Sequence, residues 1–118
     1  MANSAYLVNT NLFVEVVTTD TQMVNNAGYI CNGSGSLNMT LPLTSSVGNV
    51  IQVSNMQNGF TIVQNAGQSI QFTTGTTTVG AGGSISSNNN GDSITMECSV
   101  ADTQWLAYAS VGNGLTIV

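Results

Sequence analysis

Apolar and polar residues alternate along this chain in short runs with a period of two. Leu37, Met39, Leu41 and Leu43 alternate with Asn38, Thr40 and Pro42. Ile51 and Val53 alternate with Gln52 and Ser54; Phe60 and Ile62 precede Ile70 and Phe72, which flank Gln71. Ile94, Met96, Cys98 and Val100 alternate with Thr95, Glu97 and Ser99, which places the acid on the solvent face. Period-two patterning predicts strands with one buried face. The runs are punctuated by Asn32-Gly33, Asn58-Gly59, Asn90-Gly91 and Asn113-Gly114, and by Val47-Gly48 and Ala66-Gly67. Asn-Gly suits turns that need positive φ. Asp92–Ser110 reads as a hairpin with Ala101-Asp102-Thr103 at its tip and Trp105 opening the return strand. About eight to ten short strands at this spacing predict an all-β chain, an antiparallel β-sandwich or jelly-roll-like fold.

Two regions depart from the simple pattern. Thr73–Asn90 carries little apolar content and is expected to be a surface loop around a short strand near Ile85. In Ala5–Thr18, Leu12, Val14 and Val16 point one way while Phe13 and Val17 point the other, alongside Glu15. A strand apolar on both faces is expected to be covered on both. The division expected is an N-terminal strand segment, residues 1–25, ahead of a single β-sandwich domain, residues 26–118. Leu12, Phe13, Val14, Val16 and Val17 are the candidate assembly strand, able to complete the chain's own sheet or to add to the edge of a neighbour. The closing Leu115-Thr116-Ile117-Val118 offers the same two choices.

Composition narrows the function. The 118 residues include no Lys, Arg or His, against five carboxylates, for a formal charge of −5. Asn, Thr, Ser and Gln together supply 50 residues. Nucleic-acid binding depends on cationic side chains that neutralise phosphates, so no nucleic-acid partner is expected. Imidazole, amine and guanidinium chemistry are unavailable to catalysis, which makes a non-enzymatic role the expectation. No run approaches the roughly 20 apolar residues of a membrane-spanning helix. Met1-Ala2-Asn3-Ser4 lacks the positive start of a secretory signal. An extracellular location then implies a signal already removed or exit by another route, such as lysis.

Few groups carry candidate chemistry. Cys31 and Cys98 form a candidate disulfide, or remain buried free thiols. Two distant thiols without histidine make no zinc site, and no Asp-rich loop offers calcium ligands; neither metal nor cofactor is expected. Asp92 and Glu97 are the carboxylates a glycosidase would need to bring within about 5–10 Å. Tyr29 and Trp105, with Tyr6 and Tyr108, are the candidate aromatics for stacking on a sugar, against a core role.

From about Asn26 onward the chain resembles a small β-rich domain of phage tail-fibre-like proteins and large bacterial surface proteins. The resemblance rests on Gly28-Tyr29-Ile30-Cys31-Asn32, Leu41-Pro42 and Val47-Gly48-Asn49-Val50-Ile51. It continues through Ile62-Val63-Gln64-Asn65-Ala66-Gly67-Gln68-Ser69-Ile70-Gln71-Phe72, Asp92-Ser93-Ile94, Cys98, Trp105 and Val111-Gly112-Asn113-Gly114-Leu115-Thr116. It implies an extracellular or virion-associated β-domain, often oligomeric and part of a fibre, with no catalytic residues. Absent cations and an apolar N-terminal strand suit a repeating subunit better than a receptor-binding tip. The expectation is a structural homo-oligomer or polymer whose partner is itself. The alternative is a tip domain that binds a surface glycan.

Overall fold

Three times in succession the chain lays a strand in one sheet, crosses to the other and lays a second. The computed structural model describes residues 12–73, 75–112 and 115–118, with only the backbone at Tyr108, Ala109 and Val111. Its strands are β1 (Phe13–Val17), β2 (Thr21–Gln22), β3 (Ala27–Asn32), β4 (Leu37–Thr40), β5 (Val50–Gln57) and β6 (Phe60–Val63). They continue as β7 (Ser69–Phe72), β8 (Gly75–Thr76), β9 (Ser84–Ser87), β10 (Ser93–Val100), β11 (Gln104–Val111) and β12 (Leu115–Ile117). A seven-stranded sheet, β1-β3-β5-β10-β11-β7-β8, packs on a five-stranded one, β12-β9-β6-β4-β2. The chain is a β-sandwich, and no helix occurs among the described residues.

Pairing is mixed rather than antiparallel. β1, β3 and β5 run parallel in one sheet, and β2, β4 and β6 run parallel in the other. The N-terminal half is therefore a flattened coil of three turns, with Phe13, Ala27 and Ile51 in one register row. Such stacking leaves an end at which a coil has a neighbour on one side only. β1 and β2 are that end.

The second half closes the sandwich with antiparallel strands. β10 and β11 form the hairpin expected over Asp92–Ser110 and dock on β5. The alternation holds at Ile94, Met96 and Cys98, all buried, and fails at Val100, which is exposed. A register shift between Cys98 and Val100 explains the failure, because an extra residue turns the following side chain outward. β12 lies in the chain's own five-stranded sheet beside β9, and the Val118 and Ser84 backbones exchange hydrogen bonds. Ile85 is fully buried, and the Thr73–Asn90 region also contributes the buried Thr77. Asn58 and Gly59 both take positive φ, 72° and 94°, at the turn between β5 and β6.

The core holds Phe60, Trp105, Met39, Leu41, Ile51, Ile62, Ile70, Ile85, Ile94 and Met96, all fully buried or nearly so. Amides tie the loops to it. Gln64 Nε2 donates to the carbonyls of Gln68, Thr78 and Gly80, while Gln64 Oε1 accepts from the Thr77 hydroxyl. Gln68 Nε2 donates to the Pro42 and Asp102 carbonyls. Asn55 Nδ2 donates to the Asn89 carbonyl and Asn55 Oδ1 accepts from Gly59 N–H. Neutral amides satisfy buried backbone groups without the desolvation cost of an ion. On the outer face of the five-stranded sheet, Asn38, Thr40, Thr61, Ser84, Ser86 and Thr116 meet water with hydroxyls and an amide in place of charges.

Candidate functional site

Of the candidate stacking aromatics, Tyr29 and Trp105 take the core role. Trp105 is fully buried and Tyr29 is 3% exposed. Both lie at core-facing strand positions, and the Tyr29 hydroxyl accepts a hydrogen bond from Val24 N–H at 2.8 Å. Tyr6 and the side chain of Tyr108 lie outside the described residues.

The candidate disulfide is not formed; both cysteines are free and buried. Cys31 pairs with Asn55 of β5, whereas Cys98 N–H bonds to the Asn49 carbonyl. Six residues of strand separate those two positions, about 20 Å at the usual rise, beyond any disulfide. Burial pushes the Cys31 thiol up to about 11, so it remains protonated and unreactive at neutral pH. Cys98 Sγ lies 3.3 Å from Ser45 Oγ and from the Val100 carbonyl.

The carboxylates do not assemble a catalytic pair. Asp92 is buried, with Oδ2 accepting from the Ser87 hydroxyl at 2.7 Å. Glu97 is exposed five residues along, about 17 Å away on an extended strand. Asp102 Oδ1 accepts from Ser45 N–H, and Asp20 Oδ1 from Asn38 N–H, each at 2.8 Å. Among the described residues no three of the metal-ligating types His, Cys, Asp and Glu come together.

What remains is the open end of the coil. β1 pairs with β3 on one side, and among the described residues nothing pairs with its other edge. Register places Val14 and Val16 on the outer face with Gly28 and Ile30, and Phe13, Glu15 and Val17 on the inner face with Ala27, Tyr29 and Cys31. Leu12, just ahead of the strand, is half-buried. Contrary to the expectation of cover, both faces are largely exposed among the described residues. Phe13 is 74% exposed, Val14 51% and Val16 56%; Val17 alone packs partly against the core. The inner face is open because the opposite sheet ends there in β2, which is only two residues long. Val14 lies over Gly28, where an added Cβ would sit 3.0 Å from Val14 Cγ2, so a side chain at 28 would crowd the strand.

Natural edge strands are shielded by lysine, proline, bulges or a covering loop. Among the described residues β1 has none of these, and Glu15 is its one charge. On the outer face of the five-stranded sheet, Asp20, Thr21, Gln22, Asn38, Thr40 and Val63 line an open groove of about 340 Å³ along β2. Gln22 Nε2 there already donates to the Thr40 and Leu41 carbonyls. Alternation could identify the faces of β1, but not that its inner face overhangs a short opposing sheet. No helix among the described residues is long and apolar enough to cross a membrane. The sequence matches no family model, and no curated protein matches it significantly.

Proposed function

We propose that this chain is a structural subunit that self-assembles into an extracellular or virion-associated fibre, using the β1 edge as one of its joining surfaces. The observation that carries the reading is the exposed, apolar edge strand, unpaired on one side among the described residues, at the open end of a stacked coil. Exposed apolar edges pair with other strands, and a coil with an unstacked end gains by continuing the stack. The near-absence of charge supports it, since broad contacts between copies then bury few unpaired ions. Tyr29 and Trp105 lie inside, so the glycan-binding alternative would rest on loops such as Thr73–Asn90 and not on these two aromatics.

Light scattering over a concentration series, at pH 7 and at pH 4, tests the reading. Mass is expected to rise with concentration for the natural chain and to stay at 12.1 kDa for the Val14→Lys/Val16→Lys double variant. A natural chain that stays monomeric throughout, or a double variant that associates equally, would overturn it.

A further inference from the structure

The turn between β5 and β6 requires a chemically labile pair of residues. Asn58 and Gly59 take φ of 72° and 94°, a region that glycine enters freely and asparagine tolerates better than most. At Gly59 an added Cβ would sit 2.5 Å from the Ser87 carbonyl oxygen, so no side chain fits there. Asn-Gly is also prone to cyclise, because glycine leaves its own nitrogen unobstructed. In that reaction the Gly59 nitrogen gives up its proton and bonds to Asn58 Cγ, the Cγ–Nδ2 bond breaks and ammonia leaves. Water then opens the succinimide to aspartate, or to isoaspartate, whose main chain runs through the side-chain carbon. Either product adds a carboxylate to a chain with no Lys, Arg or His to meet it. At position 58 it also replaces the donor that Asn58 Nδ2 now gives to the Gly33 carbonyl at 2.6 Å.

One buried residue holds the attacking nitrogens of two such pairs. Asn55 is 1% exposed. Its side-chain Oδ1 accepts Gly59 N–H at 2.9 Å, and its backbone carbonyl accepts Gly91 N–H, from the Asn90-Gly91 turn, at 2.6 Å. The carboxamide is oriented from both ends, since Nδ2 donates to the Asn89 carbonyl at 2.9 Å. A nitrogen held this way must first break its hydrogen bond before it can lose the proton and turn onto Cγ. The Nδ2 bond to Gly33 anchors the Asn58 carboxamide as well, so both reacting groups of that turn are tied. We infer that Asn58-Gly59 and Asn90-Gly91 are self-modification sites, succinimide-forming in the open chain, and that Asn55 keeps both closed in the fold. Asn55 acts here as a positioning residue. Neither site depends on self-assembly through β1.

Incubation at pH 8, an acid quench and mass spectrometry of peptic peptides read each site separately. In urea both sites of the natural chain are expected to convert at similar rates. In buffer both are expected to convert at least about tenfold more slowly, the effect of a hydrogen bond that must open first. Asn55→Ala removes Oδ1 and keeps the backbone carbonyl, so it is expected to speed Asn58 about tenfold relative to Asn90. Gln64→Leu, which loses buried amide bonds to other partners, is expected to leave the ratio of the two sites within about twofold. Conversion of Asn58 as fast in buffer as in urea would overturn the inference. So would an equal change at both sites in Asn55→Ala, or the same change of ratio in Gln64→Leu. Amide hydrogen exchange of the natural chain tests the two bonds without any substitution. Gly59 and Gly91 are expected to be protected, and fast exchange at either would overturn the role of Asn55 there.

Discussion

Gln64 shows how a chain without cations builds an interior. Its amide group meets three backbone carbonyls and a hydroxyl at a site 2% exposed. Gln64→Leu keeps the approximate bulk and leaves those groups unpaired, at a cost of about 3 kcal/mol. For a domain of this size that lowers Tm by about 10 °C, measurable by thermal circular dichroism, while the exposed Gln71→Ala is expected to change little. Cys31 gives a second expectation. Its thiol is raised from 9.0 in the open chain to about 11 in the fold, so the unfolded state releases this proton first. The stabilisation, about 2–3 kcal/mol for two pH units, is complete below pH 9 and is lost as pH rises through about 11. Denaturant unfolding at pH 8 and pH 11 is expected to show that decline, with Cys31→Ser reducing it. A thiol reagent at pH 8 is expected to label Cys31 only after unfolding. The buried free thiol was one of two readings open for Cys31, whereas the role of Gln64 was not legible in the sequence, because an amide that solvates a surface and one that ties a buried loop are the same letters.

At the scale of elements, alternation revealed what each strand buries. Ile94, Met96 and Cys98 face inward as their spacing requires, and the turn at Ala101-Asp102-Thr103 closes the hairpin that the sequence predicts. Partnership was less legible. Parallel β3 and β5 have the same one-sided pattern as antiparallel β10 and β11, because alternation reports a face and says nothing of direction. Only a hairpin ties direction to a short turn, which is why β10–β11 was readable and the three-turn coil was not. Glu15, Phe13 and Val17 were correctly placed on one face, but that face is largely exposed among the described residues because β2 is two residues long. Hydrogen exchange tests the resulting ranking. Amides of β5 and β10, interior to the seven-stranded sheet, are expected to exchange slowest, and those of β1 fast in the dilute monomer. On raising the concentration, β1 is the element expected to gain protection. Unchanged exchange at β1 while scattering reports association would place the contact elsewhere.

Across the whole molecule, the missing cations shape stability and association together. Acid unfolding usually breaks carboxylate pairs and loads a protein with positive charge. No side chain here can supply either partner or cation. The fold is therefore expected to keep its β-sheet circular dichroism at pH 2, and loss of that signal would show that the hydrogen bonds to Asp20, Asp92 and Asp102 matter more than this balance allows. The same absence means that contacts between copies rely on strand edges, amides and apolar side chains, with proton binding as the available neutraliser. Electron microscopy of the concentrated protein at pH 7 and pH 4, beside the Val14→Lys/Val16→Lys variant, tests self-assembly through β1 most directly. Elongated assemblies of the natural chain that are absent from the variant are the expected result; dispersed single particles of the natural chain at both pH values would contradict it.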